Sequence, residues 1–121
     1  MPIKNVLVVD DSPTDRQHLT DILAKSGYNV TTAASAEEGI AKVRESRPGL
    51  VLMDVVLPGY NGYQATRELT RDEATRDIPV ILCTSKGQET DKVWGMRQGA
   101  RDYIVKPVNG SELLKKISAL G

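Results

Sequence analysis

The amino-acid sequence predicts an α/β fold built around a parallel sheet of five strands. Segments typical of strands and segments typical of helices alternate five times along the 121 residues. This alternation is characteristic of parallel sheets with right-handed crossover connections. The segments 6–9 and 50–53 are also continuously apolar, which is the pattern expected of strands that are buried on both faces.

Length and composition limit the possible domain organisations and classes of protein. A chain of this length suits one domain with a single core, so we expect one domain over residues 1–121 and no further domain. Sixteen basic and sixteen acidic residues cancel, so no nucleic-acid partner is expected. The sequence contains no run of about 20 apolar residues, the length that a membrane span needs. The single cysteine, Cys83, excludes an internal disulfide and a cysteine-based zinc site; a cytoplasmic monomer is the simplest expectation.

The first strand and helix are indicated by an apolar run followed by capping residues. The strand covers 5–9. Ser12 is a favourable N-cap, and Pro13 suits the first helical turn. Asp15 lies three residues after the cap, and Gly27 ends the helix.

The later elements follow from similar signals. Ser35 with Glu38 forms a capping box that opens a helix reaching about residue 45. Asn109 caps the last helix, which runs from 112 to about 120. Two more helices are expected at 63 to about 71 and at 90–98. The remaining strands are predicted at 28–33, 50–53, 79–83 and 102–105.

Charged and polar residues stand where the predicted strands end. Asp10 and Asp11 follow the first strand, Asp54 follows the third, Thr84 follows the fourth and Lys106 follows the fifth. In open parallel sheets the carboxyl ends of the strands share one edge, and ligands bind there. Two carboxylates about 4 Å apart repel each other by roughly 4 kcal/mol at an effective dielectric constant near 20. We therefore expect this group of carboxylates to hold a cation.

The residue types at this edge indicate phosphoryl-transfer chemistry. Carboxylate oxygens suit Mg²⁺, which one or two carboxylates and a phosphate can hold. A further carboxylate can act as a nucleophile and form an aspartyl phosphate, while the metal neutralises charge on the transferring group. The Lys106 ammonium and the Thr84 hydroxyl are suitable partners for phosphoryl oxygens.

Four segments carry a resemblance to a known family. They are VLVVDDSPTDR, LVLMDVVLPGYNGYQA, PVILCTS and GARDYIVKP. Over essentially the full chain they resemble the receiver domains of two-component response regulators. The resemblance implies a flavodoxin-like (βα)5 fold, a doubly wound parallel sheet with strand order 2-1-3-4-5 and helices on both faces.

The resemblance also implies roles for individual residues. Asp54 is similar to the phosphoacceptor. Asp11, Asp54 and the backbone carbonyl of Val56 are similar to Mg²⁺ ligands, with Asp10 holding metal-bound water. Lys106 would contact the phosphoryl group, and the following proline would have a cis peptide bond. Thr84 and Tyr103 resemble the pair that switches a surface formed by the fourth helix, fifth strand and fifth helix.

A longer segment suggests a subgroup. GQETDKVWGMRQGARDYIVKPV resembles the stand-alone regulators of type IV pilus chemosensory systems. This resemblance implies a CheA-like histidine kinase or its phosphotransfer domain as phosphodonor. It also implies a downstream motor or regulatory protein as output partner, and a role in chemotaxis-like control of twitching motility.

Three positions depart from the commoner family pattern. Leu57 conservatively replaces the commoner Met. Val56, two residues after Asp54, is apolar where many fast-hydrolysing members carry a polar side chain, and Lys86 is basic where some carry an acid or amide. Water must attack the acyl phosphate in line, and an apolar side chain does not orient it. We therefore expect slow self-dephosphorylation.

Other functions share parts of this pattern. A phosphatase would need a second catalytic acid where the sequence has Val56, and a cap domain for which the chain leaves no room. A carrier of flavin mononucleotide would have its phosphate repelled by Asp10 and Asp11. Two alternatives stay open, namely a phosphorylation-independent binding module and a phosphate sink for a sister regulator. Apart from catalysing its own phosphorylation and dephosphorylation, the protein is not expected to be an enzyme.

Overall fold

The computed structural model describes residues 3–85 and 87–120. Within these two ranges, five strands and five helices alternate, as predicted. They are β1 (Asn5–Val9), α1 (Pro13–Lys25), β2 (Asn29–Ala33), α2 (Ala36–Ser46), β3 (Leu50–Met53), α3 (Gly62–Arg71), β4 (Val80–Thr84), α4 (Glu89–Arg97), β5 (Asp102–Val105) and α5 (Gly110–Leu120).

The strands form one parallel sheet in the order β2-β1-β3-β4-β5, which confirms the predicted fold. In the register of this sheet, Val9 is level with both Ala33 and Met53. The carboxyl ends of β1 and β3 therefore lie side by side, and the residues that follow them enter the same edge of the sheet.

Helices cover both faces of the sheet. One buried cluster joins the sheet to α2 and α3 through residues such as Val43 and Leu69. The other joins it to α1 and α5 through residues such as Leu23 and Leu113. Every residue of β3 and β4 is buried, which explains their continuously apolar sequences. Within the described ranges, no helix combines the length and the apolar character needed to cross a membrane.

The predicted capping residues occupy the expected positions, and one of them explains why α5 begins earlier than predicted. The Ser12 hydroxyl accepts a hydrogen bond from the Asp15 backbone N–H. The Asn109 side chain accepts one from the Glu112 backbone N–H, so α5 begins directly after Asn109, two residues earlier than predicted. The first residues of α5, Gly110 and Ser111, are not large apolar residues, so the apolar pattern of this helix starts after its first turn has begun.

Candidate functional site

Three carboxylates meet at the carboxyl edge of the sheet. Asp10, Asp11 and Asp54 each offer a carboxylate oxygen, and these oxygens all lie within 4.8 Å of one another. Asp10 and Asp54 are buried, whereas Asp11 is exposed. The sheet creates this geometry, since the backbone N–H of Asp10 donates to Ala33 and that of Asp54 donates to Val9. Both residues thus continue the ladder of hydrogen bonds beyond the strand ends.

Lys106 brings a positive charge to the same place from β5. Its ammonium lies 2.6 Å from Asp10 Oδ2, 2.9 Å from Asp15 Oδ2 and 3.5 Å from Asp54 Oδ2. Its backbone N–H donates to the carbonyl of Thr84, which fixes the end of β5 against β4. The peptide bond from Lys106 to Pro107 is cis, as the family resemblance implied.

The surroundings of Asp54 disfavour its negative charge. Burial, with the nearby charge of Asp10, raises the pKa of Asp54 from its ordinary value of 3.8 to about 6. The Lys106 charge and backbone N–H groups of Val56 and Val55 act in the opposite direction and only partly offset the increase. At neutral pH the group is therefore mainly a carboxylate, held where a compensating cation stabilises it.

The ammonium of Lys106 keeps its proton firmly. Burial favours the neutral amine, but hydrogen bonds to the carboxylates of Asp10 and Asp15 and the charge of Asp54 outweigh it and raise the pKa of Lys106. A charged lysine at this distance from Asp54 is suited to bind an anion formed on that carboxylate.

The donor set fits a hard divalent cation. Asp10, Asp11 and Asp54 supply only carboxylate oxygens, the ligands that Mg²⁺ prefers. One lysine compensates only part of their negative charge. The backbone N–H of Val56 donates to Asp54, and Val56 is 55% exposed. The three carboxylates are therefore suited to hold Mg²⁺.

Thr84 and Tyr103 lie in neighbouring strands, β4 and β5, and both are buried. The hydroxyl of Tyr103 donates to that of Tyr63, on α3. Tyr63 in turn donates to the backbone carbonyl of Asp91, on α4, at 3.3 Å. Burial and the hydrogen bond to Tyr63 both raise the pKa of Tyr103. A chain of hydroxyls therefore links β5, α3 and α4.

Sequence reasoning missed three contributors to this region. Asp15 had a sufficient local explanation as an acid in the first turn of α1, and Tyr63 appeared only as the start of a helix. The predicted helix starts at residue 63, whereas α3 begins at Gly62, directly beside Asp54. A Cβ at Gly62 would lie 1.9 Å from the carbonyl oxygen of Asp54, so only glycine allows this contact. Lys86 lies outside the described residues.

Comparisons with known proteins agree with this geometry. Residues 6–118 match the model of a family described as the response regulator receiver domain. The chain is 56% identical over 115 residues to "Protein PilH" of Pseudomonas aeruginosa, covering 95% of each protein. It is 38% identical to the phosphate regulon transcriptional regulatory protein PhoB of the same species, covering 97% of this chain and 51% of that protein.

Solved structures show the same likeness. The chemotaxis protein CheY4 of Vibrio cholerae matches with a TM-score of 0.91 and 30% identity, covering 98% of this chain and 99% of that one. A putative response regulator from Chloroflexus aurantiacus matches with a TM-score of 0.93 and 32% identity, covering 99% and 98%.

Proposed function

The chain belongs to the response regulator receiver family, and from this premise we propose that it is a signalling switch controlled by phosphorylation of Asp54. A histidine kinase, or its phosphotransfer domain, supplies the phosphoryl group. The switched surface consists of α4, β5 and α5, and it controls a protein partner. The observation that carries the proposal is the convergence of Asp10, Asp11 and Lys106 on the buried carboxylate of Asp54.

The proposed reaction is an in-line phosphoryl transfer. A carboxylate oxygen of Asp54 attacks phosphorus, the bond from phosphorus to the donor atom breaks, and the donor leaves with that electron pair. Lys106, 3.5 Å from Asp54 Oδ2, provides an ammonium for the oxygens of the bound phosphoryl group. Asp10, Asp11, Asp54 and the carbonyl of Val56 would hold Mg²⁺, which would supply positive charge to neutralise the transferring group. With the apolar Val56 beside the site, slow hydrolysis of the acyl phosphate remains our prediction.

Phosphorylation would act on the output surface through Thr84 and Tyr103. The Thr84 hydroxyl is proposed to bind the phosphoryl group, and Tyr103 to change its environment in response. Shifting a two-state balance from 1:99 to 99:1 takes about 5.5 kcal/mol of differential stabilisation. Charge-assisted hydrogen bonds from Lys106 and Thr84 are a suitable source for a large part of it. The link from Tyr103 through Tyr63 to Asp91 supports α4 as the element that responds.

The similarity to PilH supports a biological setting for the switch. The two proteins are 56% identical over nearly their whole lengths. We therefore propose that this chain works in the cytoplasm, in chemotaxis-like control of type IV pilus motility. The proposed phosphodonor is a CheA-like kinase, and the proposed target is a motor or regulatory protein.

The first experiment measures the intact mass of the protein after incubation with Mg²⁺ and acetyl phosphate. Wild type and Asp77→Asn are expected to gain one phosphoryl group, and Asp54→Asn none. Asp77 is a matched control, because it is exposed and precedes β4, at the opposite edge of the sheet. Prior addition of EDTA should abolish the gain.

Two other outcomes of this experiment would contradict phosphorylation of Asp54. A gain in Asp54→Asn would show that another residue is the acceptor. No gain in any protein, including after incubation with a phosphorylated histidine phosphotransfer domain, would favour a phosphorylation-independent binding module.

A further inference from the structure

The ammonium of Lys106 is shared unequally among three carboxylates. It donates hydrogen bonds to Asp10 Oδ2 at 2.6 Å and to Asp15 Oδ2 at 2.9 Å. Asp54 Oδ2 lies at 3.5 Å, beyond the usual length of a charge-assisted hydrogen bond. The ammonium of Lys106 therefore interacts more strongly with Asp10 and Asp15 than with Asp54.

Asp10 and Asp15 hold this ammonium from different environments. The Asp10 side chain is 1% exposed, and it also accepts a hydrogen bond from the backbone N–H of Ser12. The Asp15 side chain is 41% exposed and belongs to the first turn of α1. A helix N-terminus favours a carboxylate, and the Ser12 cap fixes the backbone there. Asp15 is thus a charged partner on the solvent side of Lys106.

We propose that Asp15 is a positioning residue that holds the Lys106 ammonium away from Asp54. A phosphoryl group on Asp54 must then compete with Asp15 for this ammonium, and the phosphorylated state is less stable than it would be without Asp15. This inference rests on the proposed phosphorylation of Asp54. Asp10 needs no displacement in this scheme, because its carboxylate oxygen lies within 4.8 Å of that of Asp54. The ammonium can therefore approach the phosphoryl group while it stays beside Asp10, whereas Asp15 does not belong to this cluster.

The test compares Asp15→Asn with wild type in binding beryllofluoride, an analogue of the phosphoryl group, in the presence of Mg²⁺. We expect Asp15→Asn to bind about two- to fivefold more tightly, the range for losing a competing, partly exposed ion pair. Asp15→Glu should restore the weaker binding. The matched control is Asp21→Asn, which changes the same charge on the same helix at an exposed residue that contacts Gln17. Its affinity should equal that of wild type.

A double-mutant cycle separates competition for Lys106 from a general effect of charge. In a Lys106→Met background, Asp15→Asn should leave the affinity unchanged, because the residue through which Asp15 acts is missing. An equal gain in both backgrounds would overturn the proposal, since it would mean that Asp15 only repels the incoming anion. Equal affinities of Asp15→Asn and wild type would overturn it as well.

A structural readout does not depend on phosphorylation. In a crystal structure of Asp15→Asn grown with EDTA, the ammonium of Lys106 should move to within hydrogen-bond distance of Asp54. An ammonium that stays at 3.5 Å from Asp54 would contradict the inference about Asp15. If wild type binds no beryllofluoride and gains no phosphoryl group, the proposed function is wrong, and this structure alone decides whether Asp15 positions Lys106.

Discussion

The Asp54 side chain combines burial with charge, and this combination has a measurable effect on stability. Its pKa is about 6 in the folded protein, against an ordinary value of 3.8. Between these values the folded state binds a proton that the unfolded state does not, so the favourable contribution of Asp54 is present below about pH 4 and is lost as the pH rises through 6. At neutral pH the buried carboxylate therefore destabilises the fold.

Replacing Asp54 by the uncharged asparagine should remove this penalty. In EDTA, the free energy of unfolding of Asp54→Asn should equal that of wild type near pH 4. At pH 7.5 it should exceed the wild-type value by about 3 kcal/mol, since each pKa unit corresponds to about 1.4 kcal/mol. Urea denaturation across this pH range measures the difference, with Asp77→Asn as the charge-matched control. A difference that does not change with pH would show that the buried charge of Asp54 is not its cause.

A second prediction concerns two buried threonines. The hydroxyl of Thr66 has no hydrogen-bond partner among the described residues, whereas that of Thr75 donates to the carbonyl of Leu69 at 2.6 Å. Thr66→Val should raise the free energy of unfolding by about 1 kcal/mol, because a buried polar group without a partner costs desolvation energy. Thr75→Val should lower it by a similar amount. Urea midpoints at constant m-value test both, and equal effects would show that the Thr66 hydroxyl has a partner.

Some residues of the site can be predicted from the sequence, and others cannot. Asp10, Asp54 and Lys106 stand directly after apolar runs, so the geometry of a parallel sheet is enough to place them at the same edge of the sheet. Asp15 meets Lys106 across 91 residues of sequence. Its position in a first helical turn already has a local explanation through the helix dipole, so nothing in the sequence pattern distinguishes it from other N-terminal helix acids.

At the scale of elements, the first turn of α3 supports the phosphoacceptor through direct backbone contact. The N–H of Gly62 donates to the carbonyl of Val55, and its Cα lies against the backbone of Asp54. The Asn61 side chain caps the helix and completes a capping box with Gln64. The position of Asp54 therefore depends on α3 as well as on β3, and this dependence was absent from the prediction, which began α3 at Tyr63.

Gly62→Ala should displace Asp54, because the new Cβ would clash with its carbonyl oxygen at 1.9 Å. We expect a loss of about 1–3 kcal/mol in the free energy of unfolding, the usual cost of overpacking, together with slower phosphorylation by acetyl phosphate. Gly110→Ala is the matched control, since Gly110 also begins a helix but a Cβ there would meet Ile22 at an ordinary 3.6 Å. It should be neutral or slightly stabilising. Equal losses in the two variants would rule out the steric explanation.

The order of the strands shows most clearly how the whole molecule creates its site. Asp10–Asp11 and Asp54 are distant in sequence, and they meet only because β1 and β3 are neighbours in the sheet. Alternation of strands and helices predicts a parallel sheet, but this order followed from the family resemblance. The structure confirms the order. The carboxylate cluster is therefore a property of the assembled sheet, and a ligand bound there is linked to the stability of the entire domain.

This linkage gives a prediction for Mg²⁺. A ligand that binds only the folded state at a hundred times its Kd stabilises it by about 2.7 kcal/mol, so Mg²⁺ should raise the Tm of wild type and of Asp77→Asn by equal amounts. Asp54→Asn and Asp11→Asn should show little or no increase, because each removes one carboxylate of the cluster. Screening of surface charges by the added salt should contribute little to the change in Tm, because the chain has a formal net charge of zero. A full increase in both cluster variants would mean that Mg²⁺ stabilises the fold from a different site.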